Sequence, residues 1–332
     1  MVWLKFLLCL AAILVAGTRL ARYADVIAEK TGLGRIWIGL ALVALITATP
    51  EMATGVSAAA LVGSPDLAMG TLMGSCCFNL SILCILDHVS RRGPVLMLVS
   101  TRHLPGVRAG VGLLTLAATG LVLSQQVSLP TLAWISLPAV VLLIAYPLAL
   151  RRILAHERSA EPDKEQVRHY ASSTLKGALV GFFAAAAVVI GAGVWLSFIG
   201  DEIALVTGWG SSFVGNLLLA VATSAPEVVV SVAAVRMGFP DIAIADILGA
   251  NMLDTGMLGL VDLFYSNGSL FAHAAPVNVV IMVVAIVSTA AAGIAVSKHR
   301  TRYLFGRFTW YGPLVVLLYL GAAYVLFAFG AS

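Results

Sequence analysis

Ten apolar runs, each near the length of a lipid-spanning helix, divide this chain at about 3–18, 36–62, 66–86, 107–124, 128–150, 174–199, 211–235, 240–264, 274–296 and 309–329. A hydrocarbon layer about 30 Å thick takes roughly 20 apolar residues to cross as a helix. Helices are required because backbone polar groups in lipid must pair internally, and a closed barrel would read as short alternating strands. Pro65, Pro130 and Pro240 mark edges of the runs. The pattern predicts an all-α membrane protein of ten transmembrane helices, with no room for a separate soluble domain. Residues 1–17 carry Lys5 ahead of an apolar stretch, which is the outline of a signal peptide as well as of a first span. The count of ten requires that this segment stays.

The basic residues fall between these runs with a strict alternation. The first gap holds Arg19, Arg22, Lys30 and Arg35, and the third Arg91, Arg92, Arg102 and Arg108. The fifth holds Arg151, Arg152, Arg158, Lys164, Arg168 and Lys176, the seventh Arg236, and the ninth Lys298, Arg300, Arg302 and Arg307. Only Lys5 lies elsewhere, and the even gaps hold none. Cytoplasmic loops collect Lys and Arg. The odd gaps are therefore expected in the cytoplasm and both termini outside, in a cell (inner) membrane. The longest polar connection, 151–173, reads as a cytoplasmic linker between two halves, 1–150 and 174–332.

Composition agrees with lipid as the solvent. The chain is 60% hydrophobic and 11% charged, where a soluble domain carries about a quarter charged residues. A formal charge of +4 suggests nucleic acid only if it gathers on one face with interleaved aromatics, and it does not. The expected partners are the bilayer and inorganic cations, with no nucleic acid; no oligomeric state is predicted. Cys9, Cys76, Cys77 and Cys84 lie inside apolar runs without zinc-finger spacing and read as small packing residues.

Two segments repeat. Ala44 to Glu51 ends in Thr-Pro-Glu, and is followed by Pro65-Asp66 and by Gly74-Ser75-Cys76-Cys77-Phe78-Asn79. Val221 to Glu227 ends in Ala-Pro-Glu, and is followed by Pro240-Asp241 and by Gly249-Ala250-Asn251-Met252-Leu253-Asp254. The offsets are 176, 175 and 175 residues. Five spans separate the copies, an odd number, so they are predicted to run in opposite directions, as two inverted five-helix repeats. Secondary transporters recurrently use this design, with the site between the repeats near the midplane.

Glu51 and Glu227 stand deep in apolar spans. A carboxylate there costs about 3 kcal/mol on insertion scales, and no Lys or Arg inside a span is available to balance it. A structural acid with a hydrogen-bond partner is the plain alternative; a bound cation is the natural counter-charge. Pro50 and Pro226 precede the two glutamates. A proline inside a helix removes a donor and displaces the carbonyl four residues back, which frees the Ile46 and Ala222 carbonyls and loosens those of Thr47 and Thr223. Thr47, Thr223 and Ser224 add hydroxyls one turn away, and Asn79 and Asp254 match on the next helix of each copy. Gly74 and Gly249 read mainly as packing residues that let helices approach. Asp246 reads as a residue of an access path, and Asp66, Asp87, Asp241 and Asp262 as solvated residues near helix ends. The donors are all hard oxygens. Calcium takes six to eight of these at about 2.4 Å, magnesium gives up its water reluctantly, and transition metals prefer His or Cys. The six His fall in loops or at helix ends.

At these residues the chain resembles the calcium/cation antiporter superfamily, in its compact prokaryotic sodium/calcium exchanger form. Its two repeats carry Gly-Thr-Ser-x-Pro-Glu and Gly-Ser-Asn-x-x-Asn/Asp. The resemblance implies that Glu51 and Glu227 ligate calcium with the Thr47 and Thr223 carbonyls. It implies that Asn79 and Asp254 complete the centre, and that Ser75 and Ser224 serve a sodium site beside Glu51. The chain departs at Ala48 and Ala250, where serines are usual. By symmetry those missing hydroxyls belong beside Glu227. Cys76 stands where the first repeat usually has Asn, and Asn251 keeps it in the second.

The expected function is exchange of calcium for sodium by alternating access, with competition for shared glutamates enforcing exchange. No enzyme activity and no cofactor are expected, the ions being cargo. A proton-coupled calcium antiporter is the nearest alternative. A passive channel would need no counter-ion gradient, and a lipid-phosphate enzyme would need Arg or Lys beside the acids, which the spans lack.

Overall fold

The computed structural model describes residues 1–31, 44–158, 174–298, 303–305 and 308–330. Besides short helical turns at Val95–Leu98, Thr101–His103 and Leu270–His273, its helices are α1 (Val2–Thr31), α2 (Ala44–Thr47), α3 (Thr49–Ser57) with a π turn at Ala58–Val62, α4 (Pro65–Val89), α5 (Leu104–Gln126) and α6 (Leu137–Arg158). Then come α7 (Leu175–Thr207), α8 (Ser211–Thr223) with a π stretch at Val214–Leu219, α9 (Ala225–Arg236), α10 (Pro240–Phe264), α11 (Asn278–Lys298) and α12 (Tyr311–Phe329). Among the described residues eight helices are long and apolar enough to cross a membrane, and α8 with α9, bent by 45°, makes a ninth if counted as one span. Of the second expected span, 36–62, residues 36–43 lie outside the described residues; the rest is the broken helix α2–α3.

Several boundaries differ from the hydrophobic pattern. α1 was expected to stop at 18 and continues to Thr31, because the stretch beyond Gly17 has no Pro or Gly and is rich in helix formers. Arg19, Arg22 and Lys30 therefore ride on a helix rather than in a loop. α7 likewise passes 199 and ends only at Gly208, whose φ of 72° suits a residue without Cβ. The span expected from 128 begins at Leu137, since Thr131–Leu132 and Ile135–Ser136 form a small hairpin just after Pro130. The start of the expected linker is helical to Arg158, and 159–173 lie outside the described residues.

The two Pro-Glu segments break alike. Ala48 has φ −78° and ψ 8°, and Ser224 has φ −85° and ψ 9°. Both sit in the sparsely populated bridge region, two residues before a proline that cannot donate to the preceding turn. Beyond the second break the Val228 N–H reaches the Ser224 carbonyl only at 3.5 Å. Each break leaves its glutamate in the first turn of the following helix, α3 or α9.

α4 and α10 form the centre: 78% of the apolar window of each is buried, against 33% for α1 and 28% for α7. Glycines set the closest approach. A Cβ on Gly70 would lie 2.7 Å from the Ser212 carbonyl oxygen, and one on Gly74 would lie 2.6 Å from Asn216 Cα. Across the same seam, a Cβ on Gly215 would meet the Leu67 carbonyl at 2.6 Å. α4 and α8 thus touch backbone to backbone, as small residues allow between helices in lipid.

Four aspartates expected in solvent serve as caps, although Asp241 also keeps a half-exposed side chain. Asp66 Oδ1 accepts from the Ala275 N–H at 2.6 Å and from Asn278 Nδ2 at 2.8 Å. Asp241 Oδ1 accepts from the Ser100 N–H at 2.9 Å and pairs with His103 Nε2 at 2.8 Å. His103, expected at a helix end, is buried there. Asp87 and Asp262 are buried, and accept from the Val95 N–H at 2.8 Å and the Leu270 N–H at 2.7 Å. Asp87 also accepts from Thr309 Oγ1 and the Tyr311 hydroxyl, and Asp262 from the Ser136 N–H. The physical reason is that the first N–H groups of a helix have no intrahelical partner, and leaving such a donor buried and unpaired is costly. Asp66 and Asp241, Asp87 and Asp262, Val95 and Leu270, Ser100 and Ala275, His103 and Asn278, and Ser136 and Tyr311 all stand 175 residues apart. The caps therefore form matched sets, and Asp66 and Asp241 each cap a segment of the opposite half.

Candidate functional site

The helix breaks bring Glu51 on α3 and Glu227 on α9 to the central pair α4 and α10. Glu51, Glu227, Asp254, Asn79, Thr47, Thr223, Ser224 and Ser75 are all buried. Glu51 Oε1 accepts from the Ser224 hydroxyl at 2.8 Å. Asn79 Nδ2 donates to Asn251 Oδ1 at 3.1 Å, and Asn251 Nδ2 donates to the Cys76 carbonyl at 2.9 Å. Ser75 Oγ and Thr223 Oγ1 face each other across α4 and α8 at 3.4 Å. Thr223 Oγ1 also donates to the Ala220 carbonyl at 3.2 Å. Thr47 turns the other way, its hydroxyl 3.5 Å from Asp246 Oδ1.

The remaining oxygens have no hydrogen-bond partner. Both oxygens of Glu227, both of Asp254, Glu51 Oε2 and Asn79 Oδ1 are buried and unpaired among the described residues. Glu227 lies within electrostatic reach of Glu51, Asp246 and Asp254, and Asp254 within reach of Glu51. The ion pairs among the described residues, Lys5 with Glu202 and His103 with Asp241, involve none of these acids. Burying a carboxylate without a partner costs far more than burying one that is paired. Three in mutual reach form a region of negative potential that a cation would relieve. Among the described residues no three acidic, His or Cys side chains meet as a ready-made metal cage. A bound ion would therefore draw part of its shell from the amide, the hydroxyls and the carbonyls released at the breaks.

The two halves are not equivalent at this point. Ser224, which holds Glu51, corresponds at an offset of 176 to Ala48, and no hydroxyl bonds to Glu227 among the described residues. Thr49 does not substitute, since its hydroxyl turns back to the Leu45 carbonyl at 3.3 Å. Cys76 and Asn251, a matched pair 175 apart, touch each other: the Cys76 thiol reaches the Asn251 carbonyl at 3.5 Å. Cys9 and Cys77 are buried against carbonyls of Ala192 and Ile281, as packing residues would be. Sequence reasoning missed the Asn251 amide as a brace for Asn79. The signal was available, because Asn251 stands one turn before Asp254, the residue that corresponds to Asn79.

A family model described as sodium/calcium exchanger protein matches residues 1–154 and 177–330. An uncharacterized membrane protein of Methanocaldococcus jannaschii, MJ0091, is 25% identical over 298 residues, covering 89% of this chain and 87% of its own length. The sodium/calcium exchanger MaX1 of Methanosarcina acetivorans is 32% identical over 149 residues, 43% of this chain and 38% of that protein. Among solved structures, the sodium-calcium exchanger NCX_Mj superposes with a TM-score of 0.64 at 24% identity, covering 97% of this chain and 98% of that one. The H+/Ca2+ exchanger CAX superposes with a TM-score of 0.67 at 16% identity, covering 98% and 88%. These likenesses establish the fold.

Proposed function

The chain belongs to the sodium/calcium exchanger protein family, and on that premise we propose that it exchanges calcium for sodium across the cell (inner) membrane by alternating access. The observation that carries the reading is the set of buried, unpaired oxygens on Glu51, Glu227, Asp254 and Asn79, with no basic side chain bonded to them among the described residues. Calcium suits such a set because it accepts many oxygens in loose geometry. The Thr47 and Thr223 carbonyls would add to its shell. Ser75 and Ser224 would serve sodium beside Glu51. Three ionised carboxylates carry −3, so calcium leaves −1, which a proton on Asp254 would cancel.

The proposal includes ten spans as two inverted halves, 1–150 and 174–332, joined by a cytoplasmic linker at 151–173, with both termini outside. The 175-residue correspondence of the caps and the matching breaks at Ala48 and Ser224 support two equivalent halves. The alternation of Lys and Arg supports the orientation. In this arrangement the same glutamates take either cation, so each displaces the other.

Proton coupling is the second reading, favoured by one observation: no hydroxyl bonds to Glu227 among the described residues. Purified protein in proteoliposomes separates the two. Radioactive calcium uptake driven by a sodium gradient at clamped pH supports sodium exchange. Uptake driven only by a proton gradient supports the second reading. Exchange retained by Glu51→Gln plus Glu227→Gln would refute the assigned site.

A further inference from the structure

Asp246 is a carboxylate that the group above does not use. It lies on α10, two turns before Asp254, and is buried. Its neighbours come from two other helices. Thr47 Oγ1 is 3.5 Å from Oδ1, and Ser231 Oγ is 3.4 Å from Oδ2. Thr47 is one turn before Glu51, and Ser231 is one turn after Glu227. The three oxygen-bearing side chains therefore repeat the three-helix pattern of Glu51, Glu227 and Asp254, displaced along the helices towards one end. Asp246 and Asp254 are eight residues apart, about 12 Å along the axis at 1.5 Å per residue.

Both hydroxyls reach the carboxylate only through long hydrogen bonds. Hydroxyl-to-carboxylate bonds commonly close to about 2.5–3.0 Å, and these two are longer, at 3.5 and 3.4 Å. Two oxygens that share a cation at about 2.4 Å, set at right angles, lie about 3.4 Å apart. No Lys, Arg or His pairs with Asp246 among the described residues. The charges that reach it from other elements are all acids: the exposed Asp25 on α1, and Glu51 on α3 and Glu227 on α9. On the inner side, Glu227, both of whose oxygens are unpaired among the described residues, has Asp246 among the acids in its reach.

We propose that Asp246, Thr47 and Ser231 form a separate subsite for one hard cation, sodium or calcium, between the surface at Asp25 and the Glu51, Glu227 and Asp254 group. Thr47 then serves two stations, with its hydroxyl on this subsite and its carbonyl on the inner one. An ion leaving water finds a carboxylate and two hydroxyls before it meets the three central acids. The subsite lowers the cost of crossing the intervening apolar layer, and it makes that face of the protein selective before the central site is reached.

The inference rests on cation transport as read above, and the test separates the two. Equilibrium binding of radioactive calcium and of radioactive sodium is measured on the purified full chain in detergent. The variant Glu51→Gln plus Glu227→Gln should lose the tight component and keep a weaker one of no more than one ion. Adding Asp246→Asn should abolish that component, and adding Ser231→Ala instead should weaken it at least threefold without removing a charge. Elution at the wild-type volume in gel filtration shows that a variant is folded. Where Asp246→Asn fails that check, Ser231→Ala decides. Loss of all binding of both ions in the double glutamine variant would overturn the subsite, as would weak binding that neither Asp246→Asn nor Ser231→Ala changes. Wild-type protein that transports calcium under no gradient would instead refute the function, while the sodium arm would still read the subsite.

Discussion

Ser224→Ala removes one hydroxyl from Glu51 and changes little else. Alanine fits the backbone there, because Ala48 holds the same bridge conformation at the matching break. The lost contact is a 2.8 Å bond to Glu51 Oε1 between two buried groups. The other oxygen of that carboxylate is unpaired among the described residues. Hydrogen bonds to charged groups contribute about 1.5–3 kcal/mol, and each 1.4 kcal/mol is about tenfold in affinity. That bond steadies the empty carboxylate, so the sodium concentration for half-maximal exchange rises only by the amount that the proposed contact of the hydroxyl oxygen with sodium exceeds it, about tenfold for a net 1.4 kcal/mol. Calcium should shift much less, since its attraction comes mainly from the three carboxylates. Radioactive calcium flux in proteoliposomes, titrated in turn with sodium and calcium, reads both constants. An unchanged sodium constant beside a large calcium shift would assign the hydroxyl to calcium and refute the reasoning. The reciprocal change, Ala48→Ser, puts a hydroxyl at the position matching Ser224 and should lower the sodium constant.

Other changes test the scaffold. Asp262→Ala strands the Leu270 and Ser136 N–H groups, at about 1–3 kcal/mol each, so a thermal melt in detergent should fall by at least about 5 °C; a melt within about 1 °C would show that these caps are dispensable. His103→Asn should leave the melt nearly unchanged, because Asn278 already bonds Asp66 at the matching position; a large fall would break the correspondence between halves. Gly74→Ala drives a Cβ into the Asn216 backbone and should abolish monodisperse expression, whereas normal expression would mean that α4 and α8 can separate. Cysteine introduced at Lys164, in a background lacking the native cysteines, should react with an impermeant maleimide only from the cytoplasmic side. Labelling from outside would invert the assigned orientation.

The fold was legible in the sequence wherever hydrophobicity alone decides. Runs of apolar residues locate the long helices, and Pro50 and Pro226 locate the breaks, because a missing N–H has the same consequence in any context. Helix ends were less legible. Nothing in the apolar count says that α1 continues through Arg19, Arg22 and Lys30, since only one face of the helix there, at Leu20 and Ala24, is apolar and buried. The caps were hidden for a different reason. An aspartate near a helix end looks solvated until the segment it caps is known, and Asp66 reaches Ala275 from more than half the chain away. The repeat offset would have exposed them, because Asp87 and Asp262 obey the same 175-residue interval as Asn79 and Asp254. At the candidate site the residue types were legible and their pairing was not: Thr47 faces Asp246, and Asn79 leans on Asn251.

The asymmetry between the halves bears on why such a site would exchange rather than leak. An ionised carboxylate left unpaired in the interior costs several kcal/mol even after relaxation. Glu51 is partly offset by Ser224, while Glu227 and Asp254 have nothing bonded to them among the described residues. A carrier that moved empty would take those bare charges through the occluded state, and the barrier would carry the full cost. Filled with calcium, or with smaller cations that together supply similar charge, the same group moves near neutrality. Under the proposed alternating access, reorientation would be permitted only when loaded, and that restriction would couple the outward flux of one ion to the inward flux of the other. The half with no hydroxyl on its glutamate depends most on its cargo. Glu227→Gln should therefore uncouple more severely than Glu51→Gln, with a larger residual leak of calcium in the absence of any counter-ion. Equal leaks from the two variants, measured in the same vesicles, would show that charge compensation at Glu227 does not control the empty carrier.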